Sequence, residues 1–233
     1  MTQKEYLDAL LEQYHLVHVM SDKNGCRVLH LRHKALRLDL VVRQLTYPVG
    51  AYTALCGVIC TNLPQIFDVV DNDDGQTVLE EYIDGFTVAT LAESGRIRYR
   101  QAKKILQGVC HALTVLHQCG YVHRDVKPEN VVMRPNGQAV LVDLNISRQV
   151  TTVRRDTQIM GTVGYASPEQ MGLAQSDART DVYACGVLLN VMITGKHPSY
   201  QLARGRTGLI VRRCTAVNPD DRYQTARRLA MML

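Results

Sequence analysis

The amino-acid sequence predicts an α+β fold in which a strand-rich, antiparallel first part leads into a mainly helical second part. Three observations predict it. Short runs of period-two alternation, bounded by turn residues, fill the chain up to about residue 83. From Tyr99 onward the apolar spacing switches to the helical period. No Pro/Gly/Ser-rich linker, low-complexity tract or fixed-period repeat divides the chain, so the two parts are expected to be lobes of one unit.

Residues 4–13 carry Tyr6, Leu7, Leu10 and Leu11 at helical spacing, and the pattern turns strand-like over residues 15–20. Residues 27–31 and 37–45 are the next expected strands. Residues 66–70 and 77–82 flank the turn residues Asn72 to Gly75 and predict a hairpin. Ala102, Ile105, Leu106, Val109, Leu113 and Leu116 then mark one face of a long helix, with Gly120 placed to end it as a C′ residue. A second hairpin is expected from residues 131–133 and 139–142, closed by Pro135-Asn136-Gly137. Beyond Thr180 the chain reads helical, with breaks at residues 195–198 and around 204–208.

Of the 233 residues, 46% are hydrophobic and 21% charged, which is ample material for a buried core. The longest apolar runs, such as residues 187–193, are too short to span a bilayer, and Met1 opens a polar segment, so a soluble, cytoplasmic protein is expected. The seven cysteines stand singly in apolar stretches without CxxC or Cys/His spacing, which predicts buried reduced thiols and no zinc-type centre. The net charge of +5 is modest, and Arg96, Arg98, Arg100, Arg154, Arg155, Arg212 and Arg213 are dispersed, unlike a nucleic-acid-binding stripe.

The chemistry concentrates in the second part. His123-Arg124-Asp125-Val126-Lys127-Pro128-Glu129-Asn130 is followed by Asp143-Leu144-Asn145 after the second hairpin, by Ser167-Pro168-Glu169, by Asp181 with Gly186, and by Arg222. In that order these elements resemble the catalytic loop, the Asp-Phe-Gly and Ala-Pro-Glu motifs and the following helix of the serine/threonine protein kinase family, in its compact bacterial, Hanks-type form. The resemblance implies a two-lobed kinase-like fold over residues 1–233, with an N-lobe and hinge at 1–83 and a trimmed, mainly helical C-lobe at 84–233. It implies phosphoryl transfer from ATP, with Mg2+ or Mn2+, to serine or threonine hydroxyls of a protein substrate.

Phosphoryl transfer asks for positioning and charge neutralisation more than covalent chemistry. By resemblance, Asp125 accepts the proton of the acceptor hydroxyl, Lys127 steadies the transferring phosphate, and Asn130 and Asp143 offer oxygen ligands to the metal. Adenine contacts are implied for Val28, Val41, Val132 and the backbone of Glu81 and Ile83. His123, Arg124, Glu169, Asp181 and Arg222 are implied as structural residues, with Glu169 and Arg222 paired. Gly161-Thr162-Val163-Gly164-Tyr165 resembles the peptide-binding segment of serine/threonine kinases, with Thr162 bonded near Asp125. Thr157, beside Thr151, Thr152, Arg154 and Arg155, is an activation-segment position where a phosphate could order the loop.

The N-lobe departs from the family. Ser21, Lys23 and Cys26 stand at the glycine positions of the nucleotide loop and only Gly25 remains. Arg43 replaces the strand lysine that contacts phosphate, and a guanidinium fork places its donors differently from an ammonium. No acidic residue lies between Asp39 and Asp68, so the usual helix glutamate is missing, with Ala51 to Thr53 near its place. Loss of one such electrostatic stabiliser costs roughly a hundred- to a thousandfold in rate. Glu80, at the gatekeeper position, is the expected substitute partner for Arg43. In the metal motif Leu144 replaces Phe and Asn145 replaces Gly, asparagine being at ease in the left-handed region. Three readings stand at this point: a minimal active kinase, a pseudokinase that binds nucleotide or peptide without turnover, and a small-molecule phosphotransferase.

Overall fold

Thr2 opens the first element with a reciprocal cap. Its hydroxyl accepts from the Glu5 amide at 3.2 Å while the Glu5 carboxylate accepts from the Thr2 amide at 2.8 Å. The helix so started, α1 (Gln3–Gln13), runs straight into β1 (Tyr14–Lys23). A computed structural model describes residues 1–150, 162, 164–171 and 175–233. They form two units, Met1–Cys60 with Pro64–Ile83, and Thr61–Leu63 with Asp84–Leu233.

In the first unit β2 (Cys26–His33), β3 (Asp39–Leu45), α2 (Gly50–Leu55), β4 (Ile66–Asn72) and β5 (Gly75–Glu81) follow. The strands make one antiparallel sheet in the order β1-β2-β3-β5-β4. Register places Leu29, Val42 and Leu79 in one cross-strand row. Leu7, Leu10 and Leu11 of α1, with Tyr14, pack on that face against Leu29, Leu31 and Val42. Because side chains alternate across a sheet, the neighbouring rows Val28, Arg43, Val78 and His30, Val41, Glu80 turn to the opposite face. The β1–β2 tip is the two-residue loop Asn24-Gly25, both left-handed (φ +54° and +72°), between the paired Lys23 and Cys26. A Cβ on Gly25 would lie 2.4 Å from Thr46 Oγ1, so glycine is required there twice over.

The second unit begins with β6 (Phe86–Thr87) and α3 (Val88–Glu93) and continues with α4 (Tyr99–Gln118), whose buried face includes the six apolar residues expected from the sequence. Gly120 follows its C-cap at φ +83°. Next come β7 (Tyr121–Val122), the hairpin β8 (Val131–Met133) and β9 (Ala139–Leu141), and β10 (Arg148–Gln149). Three helices complete the unit: α5 (Ala178–Thr194), α6 (Gly205–Cys214) and α7 (Ala226–Met232). α5 is buried along most of its length, and a Cβ on its Gly186 would sit 2.3 Å from Cys214 Cβ, so that glycine lets α6 close in.

Several expectations need correction. The break expected around 204–208 is mostly helix, since α6 starts at Gly205. Gly208 is there for close approach: a Cβ would meet the Ala203 carbonyl oxygen at 2.1 Å. Cys56 is exposed and Cys119 half-buried, whereas the other five thiols are buried, and all seven are free. Among the described residues no helix is long and apolar enough to cross a membrane.

Candidate active site

The loop between β7 and β8 carries Asp125, and three neighbours hold its carboxylate. Oδ1 accepts from Thr162 Oγ1 at 2.7 Å, and Oδ2 accepts from Asn130 Nδ2 at 2.8 Å and meets Lys127 Nζ at 2.6 Å. Lys127 also donates to Thr162 Oγ1 at 2.8 Å, which closes a ring of charge-assisted bonds. Burial pushes the Asp125 pKa up, but the bonds from Lys127 and Thr162 outweigh it and hold the carboxyl below its ordinary range. Asn130 spends its amide nitrogen twice on Asp125, on the carboxylate and on the backbone carbonyl at 2.9 Å. A 3₁₀ turn, Pro128–Asn130, carries it into β8, and its carbonyl accepts from the Val142 amide at 2.9 Å. Asn130 and Asp143 are thereby brought to the same end of the β8–β9 hairpin.

The loop is clamped from below by a carboxylate with no solvent exposure. Asp181, in the first turn of α5, accepts from the His123 amide (2.9 Å), the Arg124 amide (2.8 Å) and His117 Nε2 (2.7 Å). Burial alone would raise its pKa; the His117 bond and the other donors overcome that and lower it. Arg124 needs the clamp because its φ is +70°, a costly conformation for a side chain with a Cβ. Gln170 holds the other side of this residue, donating from Nε2 to the Arg124 carbonyl at 2.9 Å while its Oε1 accepts from the Ser167 amide at 3.0 Å. His123 accepts the Asp125 amide at Nδ1 (3.3 Å) and meets the Val142 carbonyl at Nε2 (3.2 Å), so its ring proton sits on Nε2.

Glu169 and Arg222 form the expected buried pair, with Nη1 to Oε1 at 2.6 Å and Nη2 to Oε2 at 2.9 Å. The remaining guanidinium donors reach the carbonyls of Ala216, Arg179 and Val217, so all five N–H groups are matched. Thr180 adds a hydroxyl to Glu169 Oε1 at 3.0 Å. Burial raises the Glu169 pKa and Arg222 more than reverses it.

In the first unit the sheet makes a second buried pair. Arg43 Nε donates to Glu80 Oε1 at 2.6 Å, with the two side chains 8% and 4% exposed. Arg43 stands opposite Val78 and Glu80 opposite Val41, so the two are diagonal neighbours on the face away from α1. The α2 helix contributes Ala51, Tyr52 and Leu55 to the interior and no carboxylate; the Tyr52 ring lies 5.9 Å from the Arg43 guanidinium carbon. Val28 and Val41 are buried on the same face as Arg43, and the Glu81 amide is engaged by the Gln65 carbonyl at 2.8 Å.

These catalytic-loop and pairing geometries accompany a direct match: residues 53–228 fit the protein kinase domain family. The chain belongs to the protein kinase family. Among its relatives, the serine/threonine-protein kinase PknB of Mycolicibacterium smegmatis is 31% identical over 246 aligned positions, covering 89% of this chain and 39% of the relative. PknB of Mycobacterium leprae is 31% identical, covering 83% and 36%, and PknB of Mycobacterium tuberculosis 30%, covering 89% and 39%. The chain thus spans about two fifths of the length of the curated relatives it matches.

The kinase domain fits a hard divalent cation through oxygen donors. With Asn130 Nδ2 committed to Asp125, the amide oxygen is turned away from that carboxylate, and Asp143 directly follows Val142, whose amide bonds the Asn130 carbonyl. One expectation fails here: the left-handed residue of this motif is Asp143 (φ +69°) and not Asn145, whose amide instead lies 3.4 Å from Asp143 Oδ1. Aspartate tolerates that region because its short side chain can bond the local backbone.

Sequence reasoning passed over Gln170, Thr180 and His117, whose partners lie 46, 11 and 64 residues away. Burying a polar side chain without a partner is costly, yet each of these three lies in an ordinary polar or helical stretch that gives no local signal. Thr151, Thr152, Arg154, Arg155 and Thr157 lie outside the described residues.

Proposed function

We propose that this kinase domain transfers the γ-phosphoryl group of ATP to serine or threonine hydroxyls of protein substrates, with Mg2+ or Mn2+ as the metal. The single observation that carries the reading is the closed cluster Asp125–Lys127–Thr162–Asn130. It holds the carboxylate ionised and oriented before any ligand arrives, which is the preorganisation that catalysis requires. In the step, the acceptor oxygen bonds the γ-phosphorus, the bond to the β-bridging oxygen breaks, ADP leaves, and the hydroxyl proton passes to Asp125. Because the pKa of Asp125 is depressed, the carboxylate is a weak base. It therefore orients the hydroxyl by accepting its hydrogen bond and takes the proton late. Lys127 turns from Asp125 toward the transferring phosphate. Asn130 and Asp143 would hold the metal, which neutralises phosphate charge.

In the first unit we assign nucleotide contacts to Arg43, Val28, Val41 and the backbone of Glu81 and Ile83, and in the second to Val132. Glu80 takes over the carboxylate role that α2 lacks. Arg124, whose charge is disfavoured by burial and by nearby Arg148, is the receiver for a phosphate on Thr157. The two units are taken as lobes of one domain at 1–233 that works in the cytoplasm.

Incubation with Mg2+ and γ-labelled ATP, beside an Asp125→Asn control, tests the proposal: label incorporated by the wild type and lost in the control supports it. A second reading, a nucleotide-binding module without turnover, is favoured by the missing acid in α2. Its signature is stabilisation by ATP and Mg2+ in thermal unfolding with no label transferred under any condition.

A further inference from the structure

Arg96 joins three arginines of residues 204–212 on one surface of the second unit. A groove of about 670 Å³ is lined by Leu202, Ala203 and Leu209 together with Arg204, Arg206 and Arg212. An adjoining cavity of about 390 Å³ shares Leu202, Ala203 and Arg204 and adds Arg96. No acidic residue lines either cavity. Arg206 is positioned by a bond to the Met232 carbonyl at 3.2 Å. Among the described residues Arg96, Arg204 and Arg212 meet no carboxylate, although ion pairs are frequent elsewhere in the unit. Leu209, one of the lining residues, is an exposed apolar side chain at 68%.

The segment that lines the groove is held by hydrogen bonds to α5. Asn190, fully buried in α5, donates to the carbonyls of Lys196 and Gln201 at 2.8 and 2.7 Å and accepts the Ala203 amide at 2.8 Å, which pins the wall that precedes α6. Gly208 lets α6 lie against the Ala203 carbonyl. An apolar lining among arginines that meet no carboxylate matches a ligand that is anionic along its length and apolar at one point. Nucleic acid matches less well: the lining holds no aromatic ring for base stacking.

We propose that this groove is a docking site for an acidic segment of a partner protein that seats one leucine-like side chain over Leu202 and Leu209, with its carboxylates on Arg204, Arg212 and Arg96. The site is separate from the phosphoryl-transfer residues, so it stands or falls independently of turnover.

Binding can be read by fluorescence anisotropy on the full chain, with a labelled peptide of glutamates flanking one central leucine as probe. Saturable binding with Kd below about 1 mM is expected. It should weaken at least tenfold in Arg204→Glu/Arg212→Glu, severalfold when the peptide leucine becomes serine, and severalfold between 50 and 300 mM salt. Both arginines are exposed; should the double variant lose its helical circular dichroism, Arg204→Gln/Arg212→Gln replaces it, and the salt series on the wild type decides on its own. Absence of saturable binding, an affinity unchanged by the arginine variants, or one independent of salt overturns the proposal. So does a single-stranded oligonucleotide of equal charge that binds more tightly than the peptide and displaces it fully.

Discussion

Two buried arginine–glutamate pairs, one in each unit, were solved differently. Arg222 in the second unit is enclosed by its own chain, with two donors on Glu169 and three on backbone carbonyls. Its residue types match the family, and its partner lies 53 positions away. Arg43 in the first unit departs from the family residue and takes its carboxylate from the adjacent strand, because the short α2 offers none. The helical unit carries the family's residue types and satisfies them through long-range convergence. The sheet unit departs from the family's residue types and balances charge locally, across a register that any antiparallel pair supplies. Family resemblance therefore measures residue identity, while the physical requirement, a partner for a buried cation, can be met by other means.

The comparison breaks first at the reaction itself. Asp125→Asn should lower phosphoryl transfer by about 10² to 10⁴-fold with the fold kept, since it removes the proposed proton acceptor while preserving shape; label transfer and circular dichroism on the same preparation check both halves. A next-largest effect is expected from Arg222→Ala, which strands Glu169 and should cost about 3–5 kcal/mol, read as a lower urea midpoint. An unchanged midpoint would mean that the enclosed pair carries no stability.

The first unit should respond more mildly and with coupling. Arg43→Met and Glu80→Gln should each weaken ATP binding, and the double variant should be no worse than the more damaged single, a coupling of about 1 kcal/mol or more by isothermal titration. Strict additivity would show that the pair does not act as a unit. Arg43→Lys sharpens the same point: turnover that falls means a site rebuilt around arginine, and turnover that rises means a damaged lysine site.

The smallest effect expected is in pH. Glu169 and Asp125 both have depressed folded pKa values, so the unfolded state binds more protons as the pH falls. Their stabilisation is full above the ordinary carboxylate range of about 4 and is lost as the pH drops through the folded values. Urea midpoints should decline in acid for the wild type and less steeply for Glu169→Gln. Parallel curves would refute the assignment of that slope to the pair.

Much of the fold was legible because its signals are local. The Asn24-Gly25 and Pro135-Asn136-Gly137 turns, the apolar stripe of α4 and the order of the catalytic motifs all lie within short windows of chain. Gly208 was misread because in one dimension a glycine signals a break equally well as a close approach. Asn145 was misread because its residue type suits a left-handed turn, while the hairpin end puts that strain on Asp143.

The sequence by itself determined where the proposed chemistry falls, since Asp125, Lys127, Asn130 and Asp143 stand in motif order along a loop and a hairpin. Only the tertiary structure decided what holds them. The bonds from the His123 and Arg124 amides to the buried Asp181 carboxylate and the Gln170 that grips the Arg124 carbonyl depend on segments meeting in space, and so does the register that realises the expected Arg43–Glu80 pair. The gathering of Arg96 with Arg204, Arg206 and Arg212 around one groove depends on it too. Local propensity acts over a few residues, whereas burial and charge pairing act wherever the packed chain brings groups together, whatever their separation in sequence.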